Sequence, residues 1–263
     1  MTSADSRPAV TFRNLGAYGR LGNQLWQLAA VAGLAATRNM PVRLPPWRYE
    51  QAFSIPGNWF GTVSEADIDA PDLAEELSSA AGKVTPWAST SGRLFLQDTT
   101  LWWEHRDLVR KLLAPSGPAV ELAQHLYGDV LSAGEVTAVH VRRTDYLLHN
   151  RVYRQLAPDY YAEALRDRRG PLIVFSDDPA WVRAELAFLE PDAVSDGPPD
   201  FVDLTCMSLC ARHVIANSSF SWWGAFLSGS TAVTYPATWY TADFAHLQAE
   251  GLLAPNWPAD RGL

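Results

Sequence analysis

Cysteine is nearly missing from this chain: Cys206 and Cys210 are the only two in 263 residues, four apart in an apolar, helix-like stretch. That leaves too few for a disulfide framework and the wrong surroundings for a zinc site. Positive charge is scarce as well. Lys and Arg number 21 against 29 Asp and Glu, a net −8, so a basic face for nucleic acid is not expected. No uncharged run approaches the ~20 apolar residues that a bilayer span requires. Met1 to Val10 is polar and contains Pro8, unlike a secretory leader. A cytoplasmic protein with free thiols is the expectation. Internal repeats and low-complexity tracts are also lacking.

Tryptophan, by contrast, is plentiful: eleven residues suit a protein that handles flat, weakly polar faces, although most will be core. Apolar runs and turn chemistry alternate along the chain, which predicts an α/β fold with largely parallel sheets. Length alone allows one large domain or two small ones. Ser132-Ala133-Gly134 is the best hinge, dividing residues 1–132 from 133–263.

The most informative stretch is Val136-Thr-Ala-Val-His140-Val-Arg142-Arg143-Thr-Asp145. Its β-branched start predicts a buried strand, and its end delivers a histidine, two arginines and an aspartate to one strand terminus. Open α/β sheets bind ligands there. A guanidinium fork matches phosphate oxygens, so a diphosphate pocket is one reading; ion pairing with Asp145 and other carboxylates is the other. Arg143, its neighbour on extended chain, is expected to point the opposite way and pair with Asp145.

Upstream, Ala9–Leu15 reads as a strand leading through Gly16, Gly19 and Gly22-Asn23 into the helical run Leu25–Thr37. A glycine-rich turn before a helix can aim N–H groups at an anion. The glycines run G-x-x-G-x-x-G, however, and no acidic residue follows the next strand, Pro41–Leu44, so a nicotinamide dinucleotide is disfavoured. Asp67-Ile-Asp69 is formally a metal-binding D-x-D pair, but with no strand leading in, it reads as a solvated loop. A further strand is expected at Leu94–Gln97.

Downstream, Tyr146–Pro158 is a polar loop with His149 that is expected to fold over the site. The strand Pro171–Phe175 ends in Ser176-Asp177-Asp178, where one aspartate caps the next helix. A carboxylate there can accept two adjacent hydrogen bonds, as the guanine edge offers. The strand His213–Ala216 leads into Asn217-Ser218-Ser219-Phe220-Ser221-Trp222-Trp223-Gly224. Hydroxyls and unpaired amides at a helix start form a phosphate seat. The overlap of Asn217 to Ser219 with the glycosylation sequon carries little weight here.

Together Gly19-Arg-Leu-Gly22-Asn23-Gln, His140-Val-Arg142-Arg143-Thr-Asp145, Phe175-Ser-Asp177-Asp178 and Asn217-Ser-Ser-Phe-Ser-Trp-Trp-Gly-Ala resemble the α-1,2-fucosyltransferases. These belong to a wider group of GDP-fucose-dependent enzymes that includes α-1,6- and protein O-fucosyltransferases. The resemblance runs from about Phe12 to Pro236, and its most specific part is Ser219 to Trp223. Residues 45–90 match nothing in the family, and its usual aspartate after the second strand is missing at Leu44-Pro45.

The resemblance implies a GT-B-like architecture, two Rossmann-like domains facing across a cleft. Residues 1–132 would form the acceptor side and residues 133–263 the GDP-fucose-binding domain. It implies metal-independent, inverting transfer of L-fucose from GDP-β-L-fucose to the 2-hydroxyl of a terminal galactose in a glycan acceptor, with no cofactor. Arg142 would hold the β-phosphate, and Ser218, Ser219 and Phe220, with Asn217, would cradle the diphosphate. His140 and Asp177 or Asp178 would lie near guanosine, while Gly22 and Asn23 would approach the donor from the other domain. Asp145, His140 and His149 are unranked candidates for the general base. Another linkage or acceptor, and a non-catalytic sugar-nucleotide- or glycan-binding protein, stay open alternatives. So does peripheral contact with the inner membrane.

Overall fold

The computed structural model describes residues 9–62, 95–248, 250–258 and 262–263. They fall into two units, Met1–Ala114 with Ala249–Leu252, and Pro115–Gln248 with Leu253–Leu263. The division precedes the helix Gly117–Leu131, whereas the sequence suggested a hinge beyond it. The reason is packing: Ala123 and Tyr127 of that helix are buried against Val202, Cys206 and Met207, within the second unit's core.

In the first unit the run Leu21–Arg38 is apolar on nearly every face and forms a buried helix, α1 (Leu21–Arg38). Asn39 ends it in the left-handed conformation, its N–H returned to Ala35 and Ala36 carbonyls. Gly33 allows a close approach to Trp102. A Cβ there would stand 2.5 Å from Trp102 Cβ and 2.8 Å from its Cα. Because backbone rather than a flexible side-chain tip is in the way, Gly33→Ala is expected to cost about 3 kcal/mol of stability. Urea denaturation of the two proteins would show it; an unchanged midpoint would contradict the contact.

Among the described residues, the strands expected at Ala9–Leu15, at Pro41–Leu44 and over the described part of Leu94–Gln97 do not form as ladders; isolated parallel bridges join Val10 with Val42 and Leu44 with Phe60. The chain turns early, with Leu15 N–H on the Phe12 carbonyl, Pro45 and Pro46 end the second run, and Leu96 takes a positive φ of 54°. Helix α2 (Arg106–Leu112) is the second α-helix of this unit among the described residues, and short 3-10 turns such as Glu50–Ala52 and Thr99–Leu101 supplement it. The Asp67-Ile68-Asp69 pair lies outside them.

The second unit is built on a five-stranded, all-parallel sheet: β1 (Thr137–Val141), β2 (Leu172–Ser176), β3 (Ala193–Val194), β4 (Arg212–Val214) and β5 (Val233–Thr234), in spatial order β3-β2-β1-β4-β5. Alternation along β1 sorts its side chains. Ala138 shares one face with Ile173 and Phe175, under α3 (Gly117–Leu131) and α7 (Asp200–Ser208). Val139 and Val141 share the other with Tyr161 of α5 (Pro158–Ala164) and Val182 of α6 (Pro179–Glu185). Strands buried on both faces read as continuous apolar runs, which is why β1 was visible in the sequence. Helix α8 (Ser219–Ser228) crosses α7 closely; a Cβ on Gly224 would lie 2.8 Å from Met207 Cβ. Cys206 and Cys210 are free thiols inside this core.

Candidate active site

Strand order fixes where a ligand can sit. After β1 the chain passes to β2 and β3 on one side, then returns to place β4 on the other. The C-terminal ends of β1 and β4 therefore flank the topological switch point, where parallel sheets leave a crevice. β1 delivers Arg142 to Asp145 to that edge, and β4 delivers Asn217 to Phe220. Two contacts tie the segments together: Tyr146 Oη donates to the Asn217 carbonyl at 2.7 Å, and the His140 and Phe220 rings lie 5.4 Å apart.

Arg142 is 12% exposed and spans two carboxylates, Asp145 Oδ2 at 2.6 Å and Asp177 Oδ2 at 3.2 Å. The i,i+3 spacing that brings Asp145 to it comes from the short helix α4 (Thr144–Leu148). Asp177 also accepts from the Arg143 N–H at 2.9 Å and from Thr144 Oγ1 at 2.6 Å. Burial works to raise the Asp177 pKa, but the Thr144 hydroxyl, the Arg142 charge and the Arg143 amide outweigh it, and the carboxyl is held below its ordinary value. Arg143 does not pair with Asp145 as the sequence suggested. It points to the opposite side, 3.4 Å from Asp178 Oδ2, with its guanidinium 4.0 Å from the Trp181 ring centroid. Asp178 caps α6 by accepting the Trp181 N–H at 3.1 Å.

Opposite stands the start of α8. Ser218 is its N-cap, accepting the Phe220 N–H at 3.4 Å, and the first turn carries no acidic side chain. The positive end of the helix dipole at this turn is the kind of terminus that can receive an anion. The Asn217 side chain is turned inward: Nδ2 donates to the Arg154 carbonyl at 2.9 Å and the Trp239 carbonyl at 2.7 Å. It clamps the loop 149–157, which is also pinned by Arg154 N–H on Trp239 and Thr241 N–H on Val152. His149 on that loop is exposed.

His140 is buried, and none of the hydrogen bonds among the described residues reaches its Nδ1. Burial and then the Arg142 charge, against an opposing pull from Asp177, lower its pKa to about 3. The ring is therefore neutral at physiological pH and a poor proton acceptor. Gly22 and Asn23 belong to the first unit, at the start of α1, where Asn23 Oδ1 accepts from Gln97 Nε2 at 2.7 Å.

Two groups escaped the sequence reading. Asp203 on α7 accepts from Ser195 Oγ at 2.7 Å and Tyr127 Oη at 3.0 Å, with Ser195 directly following β3 at the same sheet edge. Burial raises its pKa to about 6 despite those hydrogen bonds. Its signal, an aspartate in an ordinary helix start, is no stronger than a capping residue's. The second group is a stack of three tyrosines, Tyr146, Tyr153 and Tyr240, drawn from segments distant in sequence.

With its parallel central sheet, the α/β fold is GT-B-like, the fold of its structural neighbours. Residues 94–260 match the model of glycosyl transferase family 11, and the chain belongs to that family. It is 32% identical to the O-antigen biosynthesis glycosyltransferase WbnK of Escherichia coli, over 57% of this chain and 55% of that protein. An α-1,2-colitosyltransferase of Escherichia coli is 31% identical over 56% and 54%. The galactoside α-(1,2)-fucosyltransferase 1 of Oryctolagus cuniculus is 26% identical over 91% and 70%. The chain spans about half the length of the first two. Among solved structures, POFUT1 in complex with GDP-fucose superposes with a TM-score of 0.57 at 14% identity, covering 89% of this chain and 99% of that one. Among the described residues no helix is long and apolar enough to cross a membrane.

Proposed function

We propose that this chain is an inverting α-1,2-fucosyltransferase, moving L-fucose from GDP-β-L-fucose to the 2-hydroxyl of a terminal galactose in a glycan. One observation carries the reading. A largely buried guanidinium and the Ser218-capped N-terminus of α8, with no acidic side chain in its first turn, stand at the switch point of a parallel sheet. As the C1–O bond breaks, positive charge grows on the fucose ring and negative charge on the departing GDP. Donors fixed in advance on that phosphate stabilise the transition state more than the ground state. Arg142 and the Ser218, Ser219 and Phe220 segment supply them without a metal.

The neutral His140 ring and the Phe220 face would lie against guanosine. Asp177 and Asp178 frame that end but have hydrogen bonds to the arginine loop. Asp203, on the helix layer of the His140 face, is a third carboxylate for the guanine edge. Asn217 holds the seat from below, and Gly22 and Asn23 are further donor contacts on the strength of the resemblance. Asp145 is the base candidate beside Arg142: its Oδ2 is held by the guanidinium, and its Oδ1 is buried with no hydrogen-bond partner among the described residues. A cytoplasmic location, with peripheral membrane contact where the acceptor is lipid-linked, belongs to the same reading.

Calorimetric titration with GDP, then linkage analysis of the product from GDP-fucose and lactose with and without EDTA, tests it. Binding and an α-1,2 product insensitive to EDTA are expected. A different linkage would reassign the acceptor chemistry, binding without product would leave a sugar-nucleotide-binding protein, and loss of turnover in EDTA would remove the metal-free mechanism.

A further inference from the structure

Arg142 and the α8 amides can grip one diphosphate only if their separation is held, yet they come from segments some seventy residues apart in sequence. One side chain spans the gap. Tyr146 sits on α4, four residues after Arg142, and its hydroxyl donates to the Asn217 carbonyl at 2.7 Å, one residue before the Ser218 cap. Its ring centroid lies 5.8 Å from the Arg142 guanidinium carbon. The Tyr146 ring is stacked on Tyr153 at 4.2 Å with an 8° interplanar angle, and Tyr153 leans on Tyr240 at 5.6 Å. Gln155 Nε2 closes the group by donating to the Tyr146 carbonyl at 2.9 Å and the Tyr153 carbonyl at 3.2 Å.

We propose that Tyr146 is a positioning residue for the donor's β-phosphate: its hydroxyl fixes the turn that opens α8 at a set distance from Arg142, and the tyrosine stack keeps the ring from yielding. This rests on the donor reading above. Burial raises the Tyr146 hydroxyl well above the usual tyrosine range, so it stays a donor at any working pH. The residue acts through the seat and does not touch the reacting atoms, so its effect should appear on the phosphate and spare the base.

Tyr146→Phe keeps the ring and the stack and deletes only the bond to Asn217. Calorimetric titration of the full chain with GDP and with GMP separates the two roles, because the nucleotides differ by the β-phosphate alone. Tyr146→Phe is expected to lose about tenfold in GDP affinity, the worth of one well-placed hydrogen bond. GMP affinity should stay unchanged, which also shows that the variant is folded. KM for GDP-fucose should rise in parallel. Unchanged GDP affinity would overturn the proposal, and so would equal losses for GDP and GMP, which would mark a merely structural tyrosine. A wild-type chain that binds neither nucleotide would overturn the donor reading itself, a result distinguishable from either.

Discussion

Arg142→Lys should lower turnover about 10²- to 10³-fold, the range found when one fixed donor to a developing anion is removed. In the structure two guanidinium nitrogens already serve Asp145 and Asp177, at 2.6 and 3.2 Å. A guanidinium has five N–H donors in a plane and keeps some for a phosphate while holding both carboxylates. An ammonium concentrates three donors on one nitrogen and cannot span that arrangement. Charge is conserved in the exchange, so the loss reports geometry. Circular dichroism and the melting temperature should stay close to those of the parent, since Asp177 retains its bonds from the Arg143 amide and Thr144. Single-turnover rates with GDP-fucose would measure the effect; a rate near that of the parent would take Arg142 out of the leaving-group role.

The second large effect is on stability in acid. His140 and His213 are both buried, with pKa values lowered to about 3 and about 4, burial being the main cause in each. The unfolded chain takes up protons near pH 6.5 that the folded rings refuse. Their stabilisation is thus complete above pH 6.5 and drains as pH falls towards 4. Asp203 works in the other direction: raised to about 6 from 3.8, it keeps a proton that the unfolded chain releases, so its contribution is lost as pH rises through that interval. Two histidines outweigh one aspartate, and the net loss from pH 7 to pH 4 should be of order 3 kcal/mol. Melting temperatures over that range should fall accordingly. His213→Gln, which can keep a donor towards the Cys210 carbonyl, should flatten the slope. An identical slope in the variant would mean that His213 is protonated without cost.

Much of the site was legible because its parts are local. A β-branched run followed by His-Val-Arg-Arg predicts a buried strand with charges at its end, and β1 is that strand. A serine-rich turn after the strand His213–Ala216 reads as the start of a helix, and α8 begins there, with Ser218 as its N-cap. Asp178 likewise fell where capping put it. The pairing of Arg143 was misread because it depends on neighbours in space: Asp177 and Asp178 reach Arg142 and Arg143 only once β2 lies beside β1. The N-terminal strands failed for a related reason. Alternation can nominate a strand, but a ladder needs partners of matching length, and the Phe12–Ala17 turns and Pro45-Pro46 cut these short.

The amino-acid sequence by itself determined the chemical inventory: which residues carry charge, which runs must be buried, which serine opens a helix, and the family these stretches resemble. Periodicity and capping act over a few residues and survive without a fold. Only the tertiary structure decided that Arg142 and Ser218 share one edge, that Asn217 faces inward, and that Tyr146 links the two segments. Those facts follow from strand order, and strand order is set by how helices on both faces bury the sheet, which no local pattern encodes.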